Sequence, residues 1–262
     1  YSECMITILD CYTDEPSGLG VPPYLGTYPR YVAGAILKNN HQFSYFTIDD
    51  LRLHSSAKSV EQGKAEIQTA MKTNIKLYNF SKNAGRVREV LDKTDAIIAI
   101  CGVHTPGTYL SALPGTVSEV SALLAKEKCF KILTGPAADA GEGLYGGKGA
   151  VLNSQGFNLV VPKLEFKFKQ LLDNNFTADV NLADTSFVAI TDLAILGSAI
   201  VFDHPSFPHR LMVEIETAKG CGRVRGCSFC TEPIKNRMQL RAVEDIVHEE
   251  ETFLKAVTIS SP

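Results

Sequence analysis

Three cysteines, Cys221, Cys227 and Cys230, stand within ten positions in the spacing C-x5-C-x2-C. The chain has only seven cysteines, so nearly half of its thiols are gathered in one short stretch, "CGRVRGCSFCTEP". Thiolates bind zinc and iron–sulfur clusters. Three of them fall short of a closed four-ligand zinc site, but they suit a 4Fe-4S cube that leaves one iron open to a small molecule. Zinc would need a fourth ligand, and the nearest upstream histidines, His204 and His209, stand at no familiar zinc-finger spacing. The other four cysteines, Cys4, Cys11, Cys101 and Cys129, are scattered and read as ordinary buried thiols.

A loop that displays thiolates must be held at both ends. "LMVEIET" (Leu211–Thr217) alternates in a way that predicts a strand. "RAVEDIVHEEETFLKA" (Arg241–Ala256) predicts an amphipathic helix with Val243, Ile246, Val247, Phe253 and Leu254 as its apolar stripe. Strand, cysteine loop and helix in that order make one βα unit. A loop leaving a parallel strand lies on the face where α/β barrels carry their chemistry. One such unit cannot bury its own strand, and the sequence stops at "VTIS", where a second strand is expected, so this domain reads as cut short. A helix through Phe187–Ser198 and the segment "DHPSFPHR" lead into it, which predicts two domains, 1–180 and 181–262.

The first region alternates strands with helices. Strands are expected at "MITILD" (Met5–Asp10), "FSYFTI" (Phe43–Ile48), "DAIIAICGV" (Asp95–Val103), "FKILTG" and "FNLVVP". Helices are expected at Tyr28–Asn40 with Thr27 as N-cap, through "SVEQGKAEIQTAMK" and "RVREVL", and at Thr116–Glu127. This pattern predicts an α/β fold, a flavodoxin-like or Rossmann-like parallel sheet covered on both faces. Ligands of such sheets bind outside the carboxyl ends of the strands. The loops expected there are Asp14–Tyr24 with Gly18 and Gly20, Gly102–Tyr109 with His104, and Gly135–Gly147. The glycines would let backbone approach a flat ligand. His104 reads either as a loop histidine with an ordinary hydrogen bond or as a ligand. Thr116 and Ser118 either cap a helix or hold an anion or a cofactor amide at its start. "GEGLYG" formally fits G-x-G-x-x-G, but no helix follows it, so no nicotinamide site is expected.

Composition bounds these readings. A chain of 262 residues with 45% hydrophobic and 21% charged residues is ordinary for one or two soluble domains. A net charge of −3 gives no basic footprint for nucleic acid. No apolar run reaches the ~18 residues of a membrane span. The longest, Phe187–Val201, is interrupted by Asp192. With no secretory pattern and with scattered thiols, a cytoplasmic protein is expected.

"ETAKGCGRVRGCSFCTEP" resembles the signature of the radical S-adenosylmethionine (radical SAM) enzymes, whose common form is C-x3-C-x2-C with an aromatic residue before the last cysteine. Phe229 holds that aromatic place, while the first gap is five residues instead of three. The resemblance implies that Cys221, Cys227 and Cys230 ligate a 4Fe-4S cluster and that Phe229 lies along the adenine of S-adenosylmethionine. It implies that the open iron chelates that cofactor's amino and carboxylate groups. One electron, from a donor such as ferredoxin or flavodoxin, would then cleave the sulfonium to an adenosyl radical. The opening "DCYTDEPSGLGVPPYLGTYPRYVAGAI" resembles archaeal-type radical SAM proteins with an N-terminal cobalamin (B12)-binding-like domain. That implies a corrinoid near Gly18, Gly20, His104 and Thr116, and methyl transfer or a related radical modification. Cobalamin domains that replace the lower ligand carry D-x-H-x-x-G after the first strand. Here the stretch reads "DCYTDEPSG", so a corrinoid would lack a histidine from this loop, with His104 as the conceivable substitute. The family's later barrel strands lie beyond Pro262, so the chain alone is expected to be inactive. The substrate, small molecule or protein, is not legible. A reading of another class is a non-enzymatic corrinoid- or nucleotide-binding α/β module with a structural zinc knuckle.

Overall fold

Two short apolar runs, "ITILD" and "AIIAI", have every residue buried. Continuous burial, as opposed to alternation, marks strands covered on both faces. The computed structural model describes residues 4–12, 24–55, 66–67, 77–78, 81–102, 114–138, 156–176, 187–208, 211–223 and 238–259. The first half holds β1 (Ile6–Asp10), β2 (Tyr24–Leu25), α1 (Thr27–Lys38), β3 (Phe43–Thr47), α2 (Ile48–Ser55), β4 (Glu66–Ile67), β5 (Leu77–Tyr78), α3 (Val87–Leu91) and β6 (Ala96–Ile100). The second half holds α4 (Val117–Leu123), β7 (Phe130–Thr134), β8 (Leu159–Val160), α5 (Leu164–Asp173), α6 (Phe187–Leu196), β9 (Met212–Val213), β10 (Ala218–Lys219), β11 (Gln239–Leu240) and α7 (Val243–Ile259).

Five of the strands form one parallel sheet in the order β3-β1-β6-β7-β8. Counted along the chain this is 2-1-3-4-5, the doubly wound flavodoxin-like order. The chain belongs to the α/β class, as expected. Successive side chains of each strand go to opposite faces. Ile6, Ile8, Ile98, Ile100 and Ile132 join Val32 and Ile36 of α1, Phe168 and Leu171 of α5 and Leu193 of α6. Leu9, Ile97, Ala99 and Leu133 join Leu51 of α2, Val87 and Leu91 of α3 and Val120 of α4. Each fully buried Leu, Ile or Val contributes roughly 1.5–3 kcal/mol, so these two layers hold the sheet. Helix α6 and the 3₁₀ turn Gly197–Asp203 follow the expected boundary at 180, yet Leu193, Ile200 and Val201 are built into the first layer.

Helices α1 and α6 meet backbone to backbone. A Cβ on Gly34 would lie 2.0 Å from the Leu193 carbonyl oxygen, and one on Gly197 1.8 Å from that of Arg30. Only residues without side chains allow this approach.

Several expected elements differ. Thr27 is the first helical residue, not the cap. Gly26 takes the N-cap place with extended backbone, and no side chain caps it. A backbone N–H of Thr27 instead meets the distant Glu214 carboxylate. In the expected helix through "SVEQGKAEIQTAMK", Glu66–Ile67 is a strand paired antiparallel with Leu77–Tyr78. Local periodicity does not register a partner ten residues away. Helices α2 and α5 were not expected. Only Met212–Val213 of Leu211–Thr217 pairs as a strand, in parallel with β2. On α7, among the residues whose burial is described, Glu249 and Phe253 are buried, while Val243, Val247 and Leu254 of the expected stripe are exposed.

Candidate functional site

The chain leaves β1 for β3 on one side and returns to β6 on the other, so the topological switch point lies between the carboxyl ends of β1 and β6. The strands reach it together, with Asp10 opposite Ile100 in register. The Cys11 N–H donates to the Ile100 carbonyl at 3.1 Å, and the Gly115 N–H donates to the Cys11 carbonyl at 2.8 Å. Cys11 and Cys101 are both buried free thiols. Burial pushes the Cys11 thiol well up, and neighbouring Cys101 adds to this.

Asp10 ends β1 inside the protein. The Tyr45 hydroxyl donates to its Oδ2 at 2.8 Å, and the Tyr12 N–H donates to its Oδ1 at 2.9 Å. Burial still outweighs both bonds and raises the carboxyl to about 6. The Tyr12 hydroxyl donates to Asp49 Oδ2 at 3.2 Å. Asp49 pairs with Arg52 at 2.8 Å, and Arg52 reaches Glu119 of α4 at 2.7 Å. Asp50 accepts the N–H groups of Thr47 and Asn83 at 2.8 Å each. These carboxylates anchor the roots of the edge loops and are occupied in doing so.

Thr116 lies at this edge and is used locally. Its Oγ1 accepts the Glu119 N–H at 3.2 Å and contacts Ser118 Oγ at 3.2 Å. It caps α4, the alternative that its position left open. Gly18, Gly20, His104 and most of Gly135–Gly147 lie outside the described residues.

The cysteine loop grows from a second, smaller scaffold. Ala218 pairs with Leu240 and Lys219 with Gln239 in an antiparallel ladder that brings the chain before Gly220 beside the chain before Arg241. Gly220 follows with φ +78°, a left-handed turn that favours glycine. Cys221 comes next, a partly buried free thiol whose Sγ accepts the Arg223 N–H at 3.4 Å. Backbone N–H groups donated to sulfur are among the contacts that tune bound thiolates. Cys227, Phe229 and Cys230 lie outside the described residues, so only one of the three proposed ligands is placed. Among the described residues no group of three His, Cys, Asp or Glu side chains could hold a metal.

His204, the nearest histidine upstream of the cysteines among the described residues, sits in the interior. It is fully buried, its Nδ1 accepts the Ser206 N–H at 3.1 Å, and its ring stands 6.5 Å from that of Tyr45. Burial lowers it to about 4, an effect only partly offset by the Tyr24 backbone beside it. His209 lies outside the described residues.

Sequence reasoning missed the charged group next to the end of β11. Arg30 of α1 and Arg241, just ahead of α7, both pair with Glu249 of α7, and all three side chains are fully buried. The one local signal was an acidic residue, Glu249, four positions before the buried Phe253 on the inner face of an amphipathic helix.

Comparison with known proteins gives two archaeal relatives. The chain is 38% identical over 250 residues to an uncharacterized protein of Methanocaldococcus jannaschii, a match covering 92% of this chain and 40% of the relative. It is 29% identical over 246 residues to an uncharacterized protein of Archaeoglobus fulgidus, covering 92% of this chain and 36% of the relative. The chain thus spans about two fifths of the length of the curated relatives it matches. No family model matches the chain, and no solved structure does. Among the described residues no helix is long and apolar enough to cross a membrane.

Proposed function

We propose that the chain is the cofactor-bearing part of a radical SAM protein, with a cobalamin-binding-like sheet domain joined to the start of the cluster-binding unit. The observation that carries this reading is the setting of Cys221. It follows β10 through a left-handed glycine, its sulfur accepts a backbone N–H, and its loop leads on to α7. That donor set suits a thiolate. Cys221, Cys227 and Cys230 would hold the 4Fe-4S cluster, with Phe229 beside the adenine of S-adenosylmethionine. When bound, the cluster supplies one electron for reductive cleavage of the sulfonium. The chain's own part is to fix the thiolates, to turn Cys221 through Gly220, and to donate the Arg223 N–H to sulfur.

The sheet's strand order supports a ligand at its carboxyl edge. We propose a corrinoid there, held by backbone of the Gly18–Gly20 loop and by the His104 loop, with methyl transfer or a related radical modification as the reaction. Thr116 takes part only as a helix cap. A one-electron donor such as ferredoxin or flavodoxin is the implied protein partner. The free thiols Cys4, Cys11, Cys101, Cys129 and Cys221 support a reducing, cytoplasmic setting.

The test is anoxic reconstitution with iron and sulfide. Broad visible absorbance, about four irons per chain as a 4Fe-4S cluster requires, and loss of both in Cys227→Ala are expected. A protein that stays colourless and takes up zinc stoichiometrically would replace this reading with the zinc-knuckle module.

A further inference from the structure

The ladders that hold the cysteine loop are short. β9 pairs with β2 over two residues, and β10 with β11 over two. Such ladders specify register weakly, and a slip of one residue turns every side chain to the opposite face. The segment Glu214–Thr217 between them is gripped in another way. The Arg30 Nη2 donates to the Glu214 carbonyl. The Arg241 Nη1 donates to the Glu216 carbonyl at 3.3 Å, and the Arg241 N–H donates to the Thr217 carbonyl at 3.0 Å. Residues 214 and 216 stand two apart, so two guanidiniums take alternate carbonyls of the segment that joins β9 to β10. Glu249 lies between the forks and pairs with both. The same segment is tied to the sheet domain, where the Glu214 N–H donates to the Leu25 carbonyl at 3.0 Å.

Buried charges of this kind are a poor source of stability, because desolvation opposes their attraction and apolar replacements often do as well. Here Arg30 Nε and Arg241 Nη2 are also buried without a hydrogen-bond partner. Fixing register is the best attested use of such groups. We infer that Arg30, Glu249 and Arg241 are positioning residues that set the register of Glu214–Thr217, and through it the place of Gly220 and Cys221 relative to the sheet domain. Only the identity of what the cysteines hold rests on the proposed function; the positioning stands without it.

Hydrogen exchange followed by mass spectrometry tests this on the full chain, with alkylation of Cys221 read from the same digests. Glu249→Gln removes the carboxylate that both guanidiniums pair with, and Arg241→Lys keeps charge but loses the fork. In both, peptides covering residues 211–223 should exchange at least ten-fold faster and Cys221 should alkylate at least five-fold faster, while β1 and β6 peptides stay within two-fold of the wild type. The triple variant Arg30→Met, Glu249→Leu, Arg241→Met restores packing without forks and should keep a cooperative melt with the same fast exchange in 211–223. Uniform acceleration of all peptides would overturn the inference, because the triad would then be a general stability element. Unchanged exchange in 211–223 would overturn it as well. After anoxic loading, the variants should retain less than half of the wild-type iron. A wild type that takes up no iron sinks the cluster reading and leaves positioning to the exchange data.

Discussion

β1 and β6 share a ladder over five residues and bury every side chain, whereas β9, β10 and β11 pair over two residues each and leave Met212 and Leu240 exposed. The sheet is fixed by apolar layers on both faces. The arm that carries the cysteines is fixed by three buried charges and a few backbone bonds. Apolar burial is strong and non-directional, which suits a scaffold. Guanidinium forks are directional, which suits a segment whose exact register matters more than its stability.

That contrast can be broken by substitution. The largest expected effect is Ile98→Ala, in a fully buried central strand. It should cost about 4 kcal/mol in a urea melt, whereas Leu254→Ala on the exposed face of α7 should stay within about 0.5 kcal/mol. Equal costs would mean that the arm has a core of its own.

The next effect is electrostatic and lies around Tyr45, which bonds Asp10 and stands beside His204. Burial raises Asp10 from 3.8 to about 6, so the folded state holds a proton that the unfolded chain has released. This contribution to stability is full below pH 3.8 and is lost as pH rises through about 6. His204 is lowered from 6.5 to about 4, so its contribution is full above pH 6.5 and is lost as pH falls through about 4. The two oppose each other in one window and hide one another in the wild type. Each shift corresponds to about 3 kcal/mol. Asp10→Asn should therefore gain stability relative to the wild type between about pH 4 and pH 7, and His204→Gln should lose it, as thermal melts across that range would read.

Gly34→Ala drives a methyl into the Leu193 carbonyl and should cost about 2–3 kcal/mol by chemical denaturation. If the arm depends on the junction of α1 and α6, hydrogen exchange in 211–223 should rise as well. The smallest effect is Thr116→Ala, about 1 kcal/mol for a lost helix cap. Thr116→Ser should restore it, and a corrinoid-binding titration should be the same for all three proteins.

The sheet was legible because its two central strands are mostly apolar and wholly buried: "ITILD" and "AIIAI" declare themselves without partners. Their order was not, since pairing is made across the chain and not along it. In the arm, the cysteine spacing is visible in sequence, but the strand Leu211–Thr217 was read too long. Its Glu214 and Glu216 carbonyls are taken by arginine forks, not by a ladder. The stripe on α7 was misjudged because apolar Val243, Val247 and Leu254 point outward while Glu249 points in, an inversion that only its arginine partners make tolerable.

Sequence by itself determined the class of the fold and the close spacing of three cysteines along the chain, because apolar patterning and residue spacing are local properties. The tertiary structure alone decided the strand order that puts the switch point between β1 and β6, and the meeting of Arg30 and Arg241 at Glu249. Residues 30, 241 and 249 are joined by solvent exclusion over more than two hundred positions of chain. A buried charge leaves no periodic trace in sequence, since its cost is met by a partner that the fold supplies.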